Sequence, residues 1–226
     1  MGASVICISS SDGSAGEQVA VAVAGSLGFP VVSEEILIRA AAEAGVSLEA
    51  VADVERRKTF MSRIVGRLVP SAAATDPVFS SSLDAQVTAS LIGVALPANT
   101  GARRSEDELR GMIRSAIDEY MAHGDVVIFA HAASQSLAGR AGVLRVLVTG
   151  SQQARSARLA EQRRLSAGEA ESLVRTGDAN RADYLKRFYG IEHENDSLYD
   201  IVVNTDGLSV EAAAQQVLLA AAAIGG

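Results

Sequence analysis

Two rhythms of apolar and polar residues alternate along this chain. Short continuous apolar runs occur at Val5-Ile6-Cys7-Ile8, Val126-Val127-Ile128-Phe129, Val143-Leu144-Arg145-Val146-Leu147-Val148 and Tyr199-Asp200-Ile201-Val202-Val203. Runs of this kind suit strands buried on both faces of a parallel sheet. Between them, apolar residues recur at helical spacing. Val19, Val23 and Leu27 predict a helix from Gly16 that Gly28 ends. Phe29-Pro30-Val31-Val32 reads as a brief extended segment, and Ser33 as the N-cap of a helix through Ile36, Leu37 and Ala40 toward Gly45. A short helix is expected from Ser47 to the run Glu55-Arg56-Arg57-Lys58. Ser105-Glu106-Asp107-Glu108 has the form of a capping box, followed by the stripe Leu109, Met112, Ile113 and Ile117, which Gly124 stops. Ser151 and Ser166 each open a further helical pattern, and a last helix spans Ser209 to Ile224. Strands alternating with helices predict an α/β fold, a parallel β-sheet flanked by helices on both faces.

In such sheets ligands bind outside the carboxyl ends of the strands. That rule brings the segment Ser9–Gly16, Ala130-His131-Ala132 and Thr149-Gly150 to one rim. The first segment draws most attention. After an apolar strand come Ser9, Ser10, Ser11, Asp12, Gly13, Ser14, Ala15, Gly16 and Glu17, and then a helix. Small residues let an anion approach backbone N–H groups, and the positive end of the helix dipole points to the same place. The pattern therefore predicts a nucleotide-phosphate loop, though an ordinary tight turn between a core strand and a helix has the same form. The usual phosphate-loop signature ends in Gly-Lys-Ser/Thr. This chain has two lysines, Lys58 and Lys186, and neither is near the loop; it offers Gly16 and Glu17 there.

Charge enters next. Among 226 residues the formal net charge is −7, which argues against broad nucleic-acid binding but leaves room for a local basic pocket. Nearly all the basic residues are arginines, suited to bidentate phosphate contact. After the strand that ends near Val148, Ser151 is read as the cap of a helix carrying Arg155, Arg158, Arg163 and Arg164, and Arg175-Thr176-Gly177-Asp178-Ala179-Asn180-Arg181-Ala182-Asp183-Tyr184 follows. Arg155 and Arg158 share a helix face; Asp178 and Arg181 are also three apart and are expected to pair. Arginines on a helical hairpin over a phosphate loop suit phosphoryl transfer, which must neutralise charge on three equatorial oxygens. The lone Cys7 lies within the first strand, and a reducing cytoplasm is the expected setting. No secretory signal or membrane span is read, so no membrane partner is expected. Between 59 and 102, Phe60, Ile64 and Leu68 suggest a helical stripe, the small, polar stretch Ser71–Ser82 fits either a loop beside a cleft or a plain connection, and the apolar Leu91–Leu96 makes a homodimer contact conceivable.

The order of these segments resembles the bacterial cytidylate kinase-like family of nucleoside monophosphate kinases over nearly the whole chain. The residues that carry the resemblance are Ile6-Cys7-Ile8-Ser9 with Gly13-Ser14-Ala15-Gly16, and Leu27-Gly28-Phe29-Pro30-Val31-Val32-Ser33-Glu34-Glu35-Ile36. To these are added Val127-Ile128-Phe129-Ala130-His131-Ala132, Arg155-Ser156-Ala157-Arg158, the Asp178/Arg181/Tyr184 spacing and Tyr199 to Thr205. The resemblance implies a single P-loop kinase-type domain over 1–226, with an acceptor-binding lobe at 33–102 and an arginine-bearing lid at 151–190. It implies phosphoryl transfer from ATP, helped by Mg²⁺, to a nucleoside monophosphate or similar small acceptor. Arg155, Arg158 and Arg181 would be the catalytic residues, and Ser9 to Glu17, His131 and Asp178 would bind nucleotide phosphate. No protein cluster of metal ligands is expected. The chain departs from the family pattern at Ser10, Ala15, Ser33 and His131, and at the missing lysine. Those departures keep a second reading open: a nucleotide- or anion-binding module of the same fold with impaired catalysis. A Rossmann-type dinucleotide site fits less well, because Gly13 and Gly16 do not make the three-glycine fingerprint.

Overall fold

A computed structural model describes residues 2–45, 105–129 and 132–224. The expectations for 47–58, for 59–102 with Leu91–Leu96, and for Ala130 and His131 lie outside the described residues. The elements run β1 (Val5–Ser10), α1 (Gly16–Leu27), β2 (Val31–Val32), α2 (Glu34–Ala44), α3 (Glu106–His123), β3 (Val126–Phe129), α4 (Ala133–Ser136) and β4 (Val143–Thr149). They continue with α5 (Gln152–Arg163), α6 (Ala167–Tyr189), a 3-10 turn (Asp196–Leu198), β5 (Ile201–Asn204) and α7 (Val210–Ala223).

The chain divides into two compact units, Met1–Ser33 with Asp118–Gly226, and Glu34–Ile117. The first holds a five-stranded sheet in the order β2-β3-β1-β4-β5. Every pairing is parallel; Val5 sits opposite Val126 on one side and Val143 on the other. One face carries Ile6, Ile8, Val127, Leu144, Val146, Val148 and Val203, packed in one core with Val19, Val23, Ala213 and Val217 from α1 and α7. The alternate strand residues Val5, Cys7, Val126, Ile128 and Val143 are also buried, and the pleat turns them to the opposite face. Each fully buried aliphatic side chain contributes about 1.5–3 kcal/mol, so this two-sided core dominates the stability of the unit. Burial also pushes the Cys7 thiol up to about 12, so it stays protonated and acts as a small apolar residue.

The second unit, as far as it is described, consists of α2 and most of α3. Ile36, Ile38, Ala40 and Ala41 of α2 are buried, as are Leu109, Ile113, Ala116 and Ile117 of α3. The capping box before α3 forms: Ser105 N–H donates to Glu108 at 2.8 Å, and Glu108 N–H donates to the Ser105 hydroxyl at 3.2 Å.

Two boundaries differ from expectation. The last strand begins at Ile201, not Tyr199. The side chains of the two residues before it are engaged elsewhere: Tyr199 turns inward to Arg181, and Asp200 accepts two bonds from the Arg145 guanidinium at 3.2 and 2.7 Å and one from its backbone N–H at 2.8 Å. The helix after Ser151 stops at Arg163, with Arg164 in the left-handed region as its C-cap.

Candidate functional site

The site is built where β1 meets α1. Ser11 N–H donates to Val148 of β4 at 3.2 Å, which holds the chain against the sheet as it leaves β1. Ser14 N–H then curls back onto the Ser11 carbonyl at 3.1 Å. Gly13 has φ +79°, and a Cβ there would collide with the Arg155 carbonyl, so only glycine fits. Ala15 follows in the left-handed region at φ 61°, ψ 21°, and Gly16 begins α1. A left-handed residue followed by a right-handed one turns successive N–H groups toward a common point, the geometry of an anion nest. A Cβ on Gly16 would meet the Ser10 side chain, so glycine lets α1 start directly over the strand end.

Helices α5 and α6 form the hairpin behind this loop. Both are capped as the sequence predicts: the Ser151 hydroxyl accepts from Ala154 N–H, and Ser166 and Glu169 make a complete capping box. From α5, the nearly buried Arg155 donates to the Gly150 carbonyl at 3.0 Å and to the Asp12 carbonyl at 3.2 Å. It also forms a bidentate pair with Asp178 of α6 at 2.8 and 2.7 Å. Arg158, one turn on, donates to the Gly13 carbonyl at 3.2 Å, the Thr205 hydroxyl at 3.2 Å and the Thr205 carbonyl. The Thr205 hydroxyl also lies 3.0 Å from the Ser14 carbonyl and 3.0 Å from the Thr149 carbonyl. Three successive loop carbonyls are thus bonded, those of Asp12 and Gly13 by the hairpin arginines and that of Ser14 by Thr205 after β5. In a trans peptide the N–H points opposite to the carbonyl. The amides of Gly13, Ser14 and Ala15 therefore face away from the donors that hold those carbonyls, and Ser14's is the one that curls onto Ser11.

The structure brings Asp12, Gly13, Ser14, Arg155, Arg158 and Asp178 into this single network. The Asp12 carboxylate lies beside Gly177 of α6. Ser9 is buried and its hydroxyl is 3.1 Å from that of Ser134, which anchors the end of β1 to α4. The Ser11 hydroxyl is 3.4 Å from that of Thr149. Ser10 and Glu17 are half-buried on either side of the loop. His131 lies outside the described residues.

The expected pairing of Asp178 with Arg181 does not form. Asp178 faces the fork of Arg155, whose two Nη atoms match both carboxylate oxygens. Arg181 instead donates to Glu194 at 2.7 and 2.6 Å and to the Tyr199 hydroxyl at 3.0 Å. Tyr199 in turn donates to Glu194. Burial alone would raise Glu194, but the hydrogen bonds and charge of Arg181 outweigh it and hold the carboxyl below its ordinary range. Burial raises the Tyr199 hydroxyl. Neither Glu194 nor Thr205 was picked out for the site from the sequence. Thr205 lies at the end of a motif used for family resemblance, just beyond β5, and the parallel topology alone places it beside the first loop.

Among the described residues no group of three or more His, Cys, Asp or Glu could hold a metal ion, and no helix is long and apolar enough to cross a membrane.

The described architecture is thus an α/β protein with an all-parallel sheet, whose first strand runs through a glycine-bearing turn into a helix backed by an arginine-bearing hairpin. The family is shown by one comparison. The model of the cytidylate kinase-like family matches residues 5–207, and the chain belongs to that family. No curated protein sequence matches. Among solved structures, the chain is similar in fold to an uncharacterized protein from Eubacterium ventriosum ATCC 27560, at 14% identity and TM-score 0.61, over 95% of this chain and 96% of that one. Shikimate kinase from Bacteroides thetaiotaomicron matches at 13% identity and TM-score 0.46, over 95% and 96%. Dephospho-CoA kinase from Campylobacter jejuni matches at 12% identity and TM-score 0.41, over 97% of each chain.

Proposed function

We propose that this chain binds nucleotide phosphates at Ser9–Glu17 and transfers a phosphoryl group from ATP to a nucleoside monophosphate or a similar small phosphorylated acceptor. The observation that carries this reading is the bonding of the Asp12, Gly13 and Ser14 carbonyls on one side, which presents loop amides and the head of α1 on the other. Preorganised N–H donors at a helix N-terminus stabilise phosphate oxygens without reorganising during the reaction. In this reading Arg155 and Arg158 act through the loop: they hold its backbone, and Asp178 fixes the fork of Arg155. The donor chemistry also fits a nucleotide-borne Mg²⁺. Such an ion takes one or two protein oxygens beside phosphate and water, and Ser10, Ser11 and Glu17 offer hard oxygens at the loop. When bound, it would neutralise charge across the phosphate oxygens.

A second reading is a nucleotide-binding module of the same fold with little turnover. One observation favours it: Arg155, Arg158 and Arg181 all direct their donors to protein groups, and no lysine follows the loop. Calorimetric titration with MgATP, beside a coupled ADP-release assay over a panel of monophosphates, separates the two. Turnover with any acceptor supports the kinase. Saturable binding with no turnover supports the module. Absence of both returns the loop to a structural turn.

A further inference from the structure

We propose that Thr205 is a positioning residue for the phosphate loop, the side chain that sets the direction of the Ser14–Ala15 peptide. This rests on the reading of Ser9–Glu17 as an anion site. Thr205 is 2% exposed and follows β5 directly, 191 residues from Ser14 in sequence. Its hydroxyl has one proton and two acceptor sites. Two carbonyls lie within reach, Ser14 and Thr149, each at 3.0 Å. The Thr149 carbonyl already receives the Thr205 backbone N–H at 2.9 Å. The Thr205–Thr149 link is thus made by the backbone already, and the contact to Ser14 is the one that only the hydroxyl can make. Arg158 Nη1 donates to the same oxygen at 3.2 Å, which polarises the hydroxyl and strengthens its bond to Ser14.

The local backbone makes Thr205 suited to this work. Thr205 N–H is tied to Thr149, its carbonyl is bonded by Arg158, and the next residue, Asp206, accepts from Ser151 N–H at 2.8 Å. The β5–α7 turn is therefore fixed to the start of α5, and the hydroxyl projects from a rigid base. Ala15 sits in a left-handed conformation that is strained for a residue with a Cβ. Something must hold the neighbouring peptide against relaxation, and the Thr205 hydroxyl bonds its carbonyl. With that bond gone, the Ser14–Ala15 plane is free to rotate and the Ala15 amide leaves the nest.

The test compares Thr205→Val, Thr205→Ser and a core control, Val217→Ala, whose side chain is fully buried in α7 away from the loop. Calorimetric Kd values for MgATP and for inorganic pyrophosphate are measured at a temperature where circular dichroism shows every variant folded. The expected result is about tenfold weaker binding of both probes in Thr205→Val, the effect of one lost hydrogen bond that positions a donor. Recovery to near wild type is expected in Thr205→Ser, and no change in Val217→Ala despite its lowered melting midpoint. Wild-type affinity in Thr205→Val, or an equal loss in Val217→Ala, would overturn the proposal. Wild-type protein that binds neither probe would overturn the anion-site reading itself. In that case hydrogen exchange over residues 9–18 still decides the positioning role, and unchanged exchange in Thr205→Val would sink it.

Discussion

The α5–α6 hairpin carries two kinds of arginine. Arg155 and Arg158 give many of their donors to neutral backbone carbonyls in three separate turns, after β1, β4 and β5. Arg181 gives its donors to side chains, the Glu194 carboxylate and the Tyr199 hydroxyl. The difference has a physical consequence. A guanidinium bonded to carbonyls dictates how peptide planes face, so it shapes whatever the amides on the other side bind. A guanidinium paired with a carboxylate ties one element to another and leaves peptide directions alone. Similar residues on one hairpin thus serve as loop-shaping groups at one place and as a latch at another.

The sharpest way to break this distinction is Arg155→Ala. It removes the partner of Asp178 and the donor to two carbonyls, and is expected to cost about 3 kcal/mol of stability. MgATP affinity should fall at least tenfold, read by denaturant unfolding and calorimetry in parallel. Arg181→Ala comes next, at about 2 kcal/mol, because Glu194 is left half-buried without its cation. Its loss of affinity should be clearly smaller than that of Arg155→Ala; equal losses would erase the comparison.

Acid provides a third test of the latch. Glu194 is held below its ordinary range in the folded chain, so the unfolded chain takes up its proton first as pH falls. The stability that Glu194 contributes is therefore complete above its unfolded pKa, near 4.3, and is lost as pH falls through the lower folded value. Asp200, lowered by its bonds from Arg145 against the opposing effect of burial, behaves in the same sense. Melting midpoints followed from neutral pH to below pH 4 should fall less steeply in Glu194→Gln than in wild type. The smallest expected effect is Ala15→Gly, which relieves the left-handed strain and should stabilise by up to about 1 kcal/mol without weakening MgATP binding. A loss of affinity there would show that the loop needs the stiffness alanine provides.

Much of this architecture was legible beforehand. The first helix begins at Gly16 and ends at Leu27, as read from Val19, Val23 and Leu27. The capping boxes at Ser105 and Ser166 form as their spacing predicts. These features depend on residues close in sequence, where helical period and capping chemistry act directly. Tyr199 and Asp200 show the limit. Both stand at the head of the run read as the last strand, yet each engages its side chain with a partner from another element, and the ladder starts two residues later.

The sequence alone determined the order of the five strands and of the longer described helices, the family, and the glycine-bearing turn between β1 and α1, because each is written in local patterns. Only the tertiary structure decided which arginine meets which acceptor. Asp178 found Arg155 across the hairpin instead of Arg181 on its own helix, and Thr205 reached Ser14 from the far end of the chain. Parallel strands that end at one rim gather residues distant in sequence, and spacing along the chain carries no record of that proximity.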